Sequence, residues 1–372
     1  MRKLHFILLL LFSSLFAEAT HQVSGYISFK WISGTTYSVT FTDYTNVCGT
    51  LADDPTVTIH WGDSTSSTLT RSNGLIDPNT GIPEGEPVCT CRKVGIYTGT
   101  HPYLGNGTYH ISIDISDRMA NIANMSGSVG QDLYLFSTVI LEPFAGYNIV
   151  SPVITNPLAC INACGGECFY YNLGAYSPEG DSIAYSLGNC LTLSGIAGGY
   201  YIPPGVSIDN AGTLTWCNPP KSAIDTIYNF AILLRSYKSI FFEGKKYRLL
   251  VDTVECELEV LVKGNCTNTP PSITGHDTCI VAGTYLTFTD TATDGDHEGI
   301  SLVATGEPFT LSPPATQSVK GANPAILTFN WNTDCSDVRT NPYSILITAT
   351  DDGYPTLDAY KSINITVVGP AP

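Results

Sequence analysis

Charge is scarce in this chain, and basic charge is scarcest. Of 372 residues only 13% are charged, against about a quarter in an average soluble domain. Lys and Arg number 17 against 33 Asp and Glu, a formal net charge of −16. That balance excludes nucleic acid as a partner, because a phosphate backbone is held by clustered Lys and Arg. It argues equally against a basic membrane-surface protein. Gly (34) and Pro (23) are too few for a collagen-like or low-complexity chain. Helical periodicity is nearly absent, with at best a turn near 334–339. No G-x-S-x-G, H-E-x-x-H, Walker or dinucleotide motif occurs, and the histidines show no ligand spacing, so no enzyme is expected. What is present is 43% hydrophobic residues and 21 Tyr, enough to bury real cores.

The one long apolar run lies at the N-terminus. Met1-Arg2-Lys3 precedes an apolar stretch from Phe6 to Phe16 and then Ala17-Glu18-Ala19, the layout of a cleaved export signal. Residues 1–19 are read as signal peptide, with Thr20 as the mature start and no transmembrane segment in the mature chain. Export changes the meaning of the 12 cysteines, which outside a reducing cytosol are expected to pair. Cys160, Cys164 and Cys168 have a spacing that invites a metal, but no second His or Cys pair stands nearby, so disulfides are expected there too. Their connectivity is not readable from spacing.

Past the signal, short alternating segments rich in Val, Ile, Thr, Tyr and Phe recur at 36–42, 56–60, 108–115, 133–140, 228–234, 258–262, 285–288, 325–331, 343–349 and 362–368. This is the pattern of half-buried strands in an all-β protein of sandwiches or barrels. Breaks near 146–152 and in the linker GNCTNTPPS at 264–272 divide it into segments 20–148, 149–265 and 266–372. These hold three, six and three cysteines. Full oxidation would therefore need bridges between segments; otherwise free thiols remain.

The motifs within these segments resemble known modules. His60-Trp-Gly-Asp-Ser64, Thr100-His-Pro-Tyr103 and Gly107-Thr-Tyr-His-Ile-Ser-Ile113 resemble polycystic-kidney-disease (PKD) type β-sandwiches, with Trp61 and Tyr109 as core residues and His101 as a packing or turn residue. In the second segment Ala175–Leu187 and Pro203–Trp216, and in the third Ala292-Thr-Asp-Gly-Asp296 and Ala349-Thr-Asp-Asp-Gly-Tyr-Pro355, resemble cadherin-like and immunoglobulin-like modules. Their order is similar to the N-terminal part of Bacteroidota surface proteins described as gliding-motility-associated. The resemblance implies three tandem immunoglobulin-like β-sandwiches: PKD-like, cadherin/immunoglobulin-like and cadherin-like in turn. It implies a secreted or outer-surface location, and a Cys279–Cys335 bridge that leaves Cys266 to reach back towards the second segment. Such relatives continue into further repeats and a sorting domain for type nine secretion. This chain is expected to be a fragment, a truncated paralogue or a protein sorted another way.

The resemblance also implies a cofactor test. Cadherin-type calcium sites combine a D-x-D pair with an A-x-D acid at a strand end, and Asp294, Asp296 and Asp351 match them. The second segment has Ser177 and Glu179 at the corresponding places, and the linker offers only Asn265 and Asn268. The competing reading is a solvated acidic turn with no metal. The functional expectation is a structural or adhesive surface protein whose partner is a surface protein or a glycan. The alternative is an accessory carbohydrate-binding protein, which exposed Trp or Tyr in a groove would favour. Of the four Trp, Trp61, Trp216 and Trp331 lie in strand motifs and are expected in cores.

Overall fold

The structure, a computed structural model, describes residues 22–48 and 54–370; the expected signal peptide and the Thr20 start lie outside the described residues. Among the described residues the chain is almost entirely β, and the helical pieces are two 3-10 turns, Glu307–Thr310 and Cys335–Asp337. The second falls where the sequence suggested a turn. Each predicted strand segment lies in an observed strand, from Thr36–Asn46 to Asp358–Val368.

The first two segments do not form separate sandwiches. A 14-stranded sheet runs through both. Its centre is the long strand Lys245–Lys263, which pairs at successive stretches of one edge with Leu133–Leu141 and Gln22–Ser33. It also forms a hairpin with Thr226–Phe242. The sheet curls until Arg71 bridges Tyr97 across its ends. The cores ignore the boundary near 148 as well: Val23 and Tyr44 pack among Phe230, Leu258 and Trp216, while Val251 packs among Ile27, Phe41 and Ile111.

Buried ion pairs make the same join. Arg118 and Glu257, both fully buried, form a bidentate pair, and Arg118 Nε donates to the Asp132 carbonyl at 2.8 Å. Arg92 grips Glu259 through Nε and Nη2 at 3.0 and 2.9 Å. Glu255, Glu257 and Glu259 lie on one face of a strand whose other face carries the buried Cys256, Leu258 and Val260. Alternation of this kind ordinarily marks a polar face in water; here both faces are covered, and basic residues from the first segment supply the countercharge. Sheet, cores and ion pairs thus run across the expected boundary at 148 and join residues 22–48 and 54–263 in one platform.

Residues 272–368 do form a two-sheet sandwich. One four-stranded sheet holds Tyr285–Thr293 and Ala325–Asn332, and the other holds Tyr343–Asp351 and Asp358–Val368. Leu286, Phe329, Trp331, Ile345, Ile347, Ile363 and Ile365 fill the space between them. Trp61, Trp216 and Trp331 are all buried. Tyr109 is half-buried and stacks on Tyr103 at 4.1 Å. His101 lies flat on Trp61 at 4.7 Å and holds Asp63 at 2.7 Å through Nε2, so these residues are spent on packing.

Eight cysteines pair as Cys48–Cys91, Cys89–Cys160, Cys164–Cys266 and Cys168–Cys217. Cys160, Cys164 and Cys168 each take a different distant partner, which rules out their sharing a metal. Two of the bridges cross segment boundaries, and Cys266 does reach back to the second segment. The Cys279–Cys335 bridge is not formed, and both thiols are free and exposed. Cys279 sits on an edge strand of one sheet, whereas Cys335 opens the 3-10 turn that follows a strand of the other. Cys190 and Cys256 are free and buried.

Candidate metal centre at the module junction

Three loops meet at the end of the sandwich where the linker enters. Asp294 and Glu298 come from the loop after Tyr285–Thr293, Asp351 ends Tyr343–Asp351, and Asn268 belongs to the linker. Carboxylate oxygens of Asp294, Glu298 and Asp351 lie within 4.8 Å of one another. Asp294 and Asp351 are buried, as is Asn268. Asn268 Nδ2 donates to Asp351 Oδ2 at 3.0 Å and to the Pro355 carbonyl at 2.8 Å. Asp351 Oδ1 accepts from the Gly353 and Leu357 amides at 3.1 and 2.9 Å, which fixes the loop around it.

Three oxygens in this cluster are buried and accept nothing: Asp294 Oδ2, Glu298 Oε2 and Asn268 Oδ1. Buried acceptors without donors are costly, and carboxylates crowded together cost more. Burial first, and then the neighbouring carboxylates, raises the pKa of Glu298. Asp351 is raised chiefly by its burial, with Asp294 adding to it, against hydrogen bonds from Leu357, Asn268 and Gly353. A hard cation with oxygen ligands relieves both problems at once, and the donor set here is entirely oxygen, as Ca²⁺ requires.

Of the three acids expected to act together, Asp294 and Asp351 do meet. Asp296 does not join them. It is exposed, and its carboxylate accepts from the Thr269 amide and hydroxyl at 2.8 and 2.7 Å. Its role is to tie down the linker. Glu298 takes its place, four residues beyond Asp294, where the turn folds it back; the D-x-D motif gives no hint of it. Asn265 donates to the Ala223 carbonyl at 3.4 Å. Asn268 is the linker residue that reaches the cluster.

The loop carrying Asp351 also touches the platform. Gly353 to Thr356, with Cys89, Cys160, Arg92, Asn162 and Lys263, line a cavity of about 550 Å³. Tyr354 stands 80% exposed at its wall, with Lys263 Nζ 5.9 Å from the ring centre. Further contacts join the modules sideways: Asn341 Nδ2 donates to the Gly180 carbonyl at 2.8 Å, and the rings of Tyr171 and Tyr360 meet at 6.0 Å.

No family model matches the chain, and no curated protein does. Among solved structures, it is weakly similar to an endo-fucoidan hydrolase of glycoside hydrolase family 107, at 13% identity and a TM-score of 0.22, over 91% of this chain and 42% of that one. The chain thus spans less than half of that enzyme's length. It is similar in the same degree to the tandem immunoglobulin repeats of Dlar, at 15% identity and a TM-score of 0.25, over 59% of this chain and 98% of that one. The sialic acid binding region of a Streptococcus sanguinis adhesin gives 12% identity and a TM-score of 0.24, over 59% and 78%. Likeness at this level is weak similarity to β-sandwich proteins and carries no functional argument. Among the described residues no helix is long and apolar enough to cross a membrane.

Proposed function

We propose that the chain is an exported, non-catalytic structural or adhesive protein of the cell surface, in which a Ca²⁺ ion sets the junction between platform and sandwich. The observation that supports this is the group of orphaned oxygens on Asp294, Glu298 and Asn268 beside Asp351, drawn from three loops where the linker enters. Asp294, Glu298, Asp351 and Asn268 would hold the ion. By joining the linker to two loops of the sandwich, it would restrict the angle between the two units. The signal-like N-terminus and the order of motifs shared with gliding-associated surface proteins support the outer-surface location.

Calorimetry on the chain from Thr20 tests the site. Extracellular modules bind Ca²⁺ with Kd of roughly 10⁻⁴–10⁻³ M, and stability should rise by about 1.4 kcal/mol at ten times Kd. Asp351→Asn should abolish both effects. Absence of heat and of a thermal shift in the unmutated chain would refute the site. A glycan partner is the second reading, favoured by exposed Tyr354 on a cavity wall that also offers Asn162 and Lys263. A glycan array comparing the chain with Tyr354→Ala decides it: signal retained by the variant, or no signal at all, removes this reading.

A further inference from the structure

The Thr226–Phe242 and Lys245–Lys263 hairpin outruns the sheet that holds it. Strand Ser182–Gly188 pairs with it as far as Tyr237, and Leu133–Leu141 as far as Asp252. Beyond these points its two strands pair only with each other, from Lys238↔Leu249 to Phe242↔Lys245. The five-residue overhang corresponds to about 17 Å of strand. A two-residue turn closes it, with Glu243 at φ 49° and Gly244 at φ 75°, the left-handed pair that suits a tight hairpin.

This tip concentrates what the rest of the molecule lacks. Five of the chain's 17 Lys and Arg (Arg235, Lys238, Lys245, Lys246, Arg248) lie within 235–248, beside a single acid, Glu243. Residues 241–248 are all exposed. Phe241 and Phe242 are 70% and 52% exposed, Tyr247 lies beside them, and Phe144, from the neighbouring loop, sets its ring 6.4 Å from that of Phe242. Lys245 and Lys246 form no ion pair among the described residues. Exposed aromatic surface rimmed by cations marks an interaction site.

Strand alternation identifies the partner. Neighbouring residues point to opposite faces, so Phe241 and Phe242 project on both sides of the hairpin, as do Lys245 and Lys246. A protein groove covers one face; a lipid interface surrounds both. Aromatic rings with Lys beside them are the side chains that settle at the headgroup boundary. The acidic body of the molecule is screened beyond about 8 Å at physiological salt, so the overhang carries the basic tip out of its reach.

We propose that this hairpin tip inserts into the interfacial layer of a bilayer bearing anionic headgroups. Phe241 and Phe242 enter the acyl boundary, Tyr247 and Phe144 lie at headgroup depth, and Lys245 and Lys246 pair with phosphate. The test is flotation of the chain from Thr20 with vesicles of phosphatidylcholine, alone or with about one-third phosphatidylglycerol. Binding is expected only to the anionic vesicles, and it should weaken as salt rises. Lys245→Gln with Lys246→Gln should weaken it about 25-fold, near fivefold per charge; Phe241→Ser with Phe242→Ser should weaken it at least about tenfold. Both lysines are exposed at the end of the hairpin, so their variant leaves the fold intact. Failure to float with anionic vesicles, or equal binding by the lysine variant, overturns the proposal. So does a lipid-free dimer that the Phe241→Ser and Phe242→Ser changes abolish, which would assign the tip to a second copy.

Discussion

The platform and the sandwich are both all-β, yet they are held together differently. The sandwich, residues 272–368, closes two sheets over an apolar core and gathers Asp294, Glu298 and Asp351 at one end. The platform instead threads buried charge through its centre, with Arg118 on Glu257 and Arg92 on Glu259, and adds disulfides across segments. An apolar core can be assembled from any suitably shaped neighbours. A buried ion pair tolerates only its own partner, and breaking it leaves an uncompensated charge. The platform therefore gains a fixed register between distant segments and becomes more sensitive to single substitutions.

The sharpest way to break this contrast is Arg118→Ala. It leaves Glu257 buried beside Glu255 and should cost the platform about 3–5 kcal/mol, while the stability of the sandwich, followed by amide hydrogen exchange in Ala325–Asn332, stays put. Arg118→Met with Glu257→Leu should recover most of that loss in chemical denaturation. Equal cost to both units would mean that they unfold as one.

The pH dependence gives a smaller effect over any single pH unit. Burial pushes Asp252, inside the platform, up from its ordinary 3.8 to about 8. The native state then holds a proton that the unfolded chain has lost, so platform stability should fall as pH rises from about 4 to 8, by at most about 1.4 kcal/mol per unit, and level off above. In the sandwich, Glu298 and Asp351 are also raised, so with a chelator its stability should likewise fall as pH climbs out of the acid range. Added Ca²⁺ should reverse that trend for the sandwich alone, because the ion favours the ionised acids. Melting curves from pH 4 to 9, with and without Ca²⁺, check both.

Local conformation was legible in the sequence, whereas partnership was not. Strands such as Thr56–His60 and Ala325–Asn332 follow from alternation and β-branched content. Only 258–262 of the strand Lys245–Lys263 was legible, because the basic stretch 245–248 and the apolar run Leu249-Leu250-Val251 break the period of two before it. Nothing local shows that Arg118, 139 residues away, covers Glu257. Mean charge misled in a similar way, since a net −16 conceals the basic stretch at 235–248. At the candidate site, the D-x-D and A-x-D acids pointed to Asp294 and Asp351. Glu298 went unseen because a turn, rather than a motif, brings it back. The Cys279–Cys335 pairing failed because Cys279 lies on an edge strand while Cys335 opens a 3-10 turn, and both thiols stay exposed.

The disulfide Cys164–Cys266 has a mechanical consequence. It closes a loop with a sequence separation of 102 residues, which includes the whole projecting hairpin. Tension applied between the first segment and the sandwich would pass from Cys164 to Cys266 through the sulfur bridge and bypass that loop. Roughly 340 Å of contour is thereby shielded from stretching, and the hairpin tip keeps its shape on a molecule pulled from both ends. Single-molecule extension under reducing conditions should release that length, and oxidised protein should withhold it.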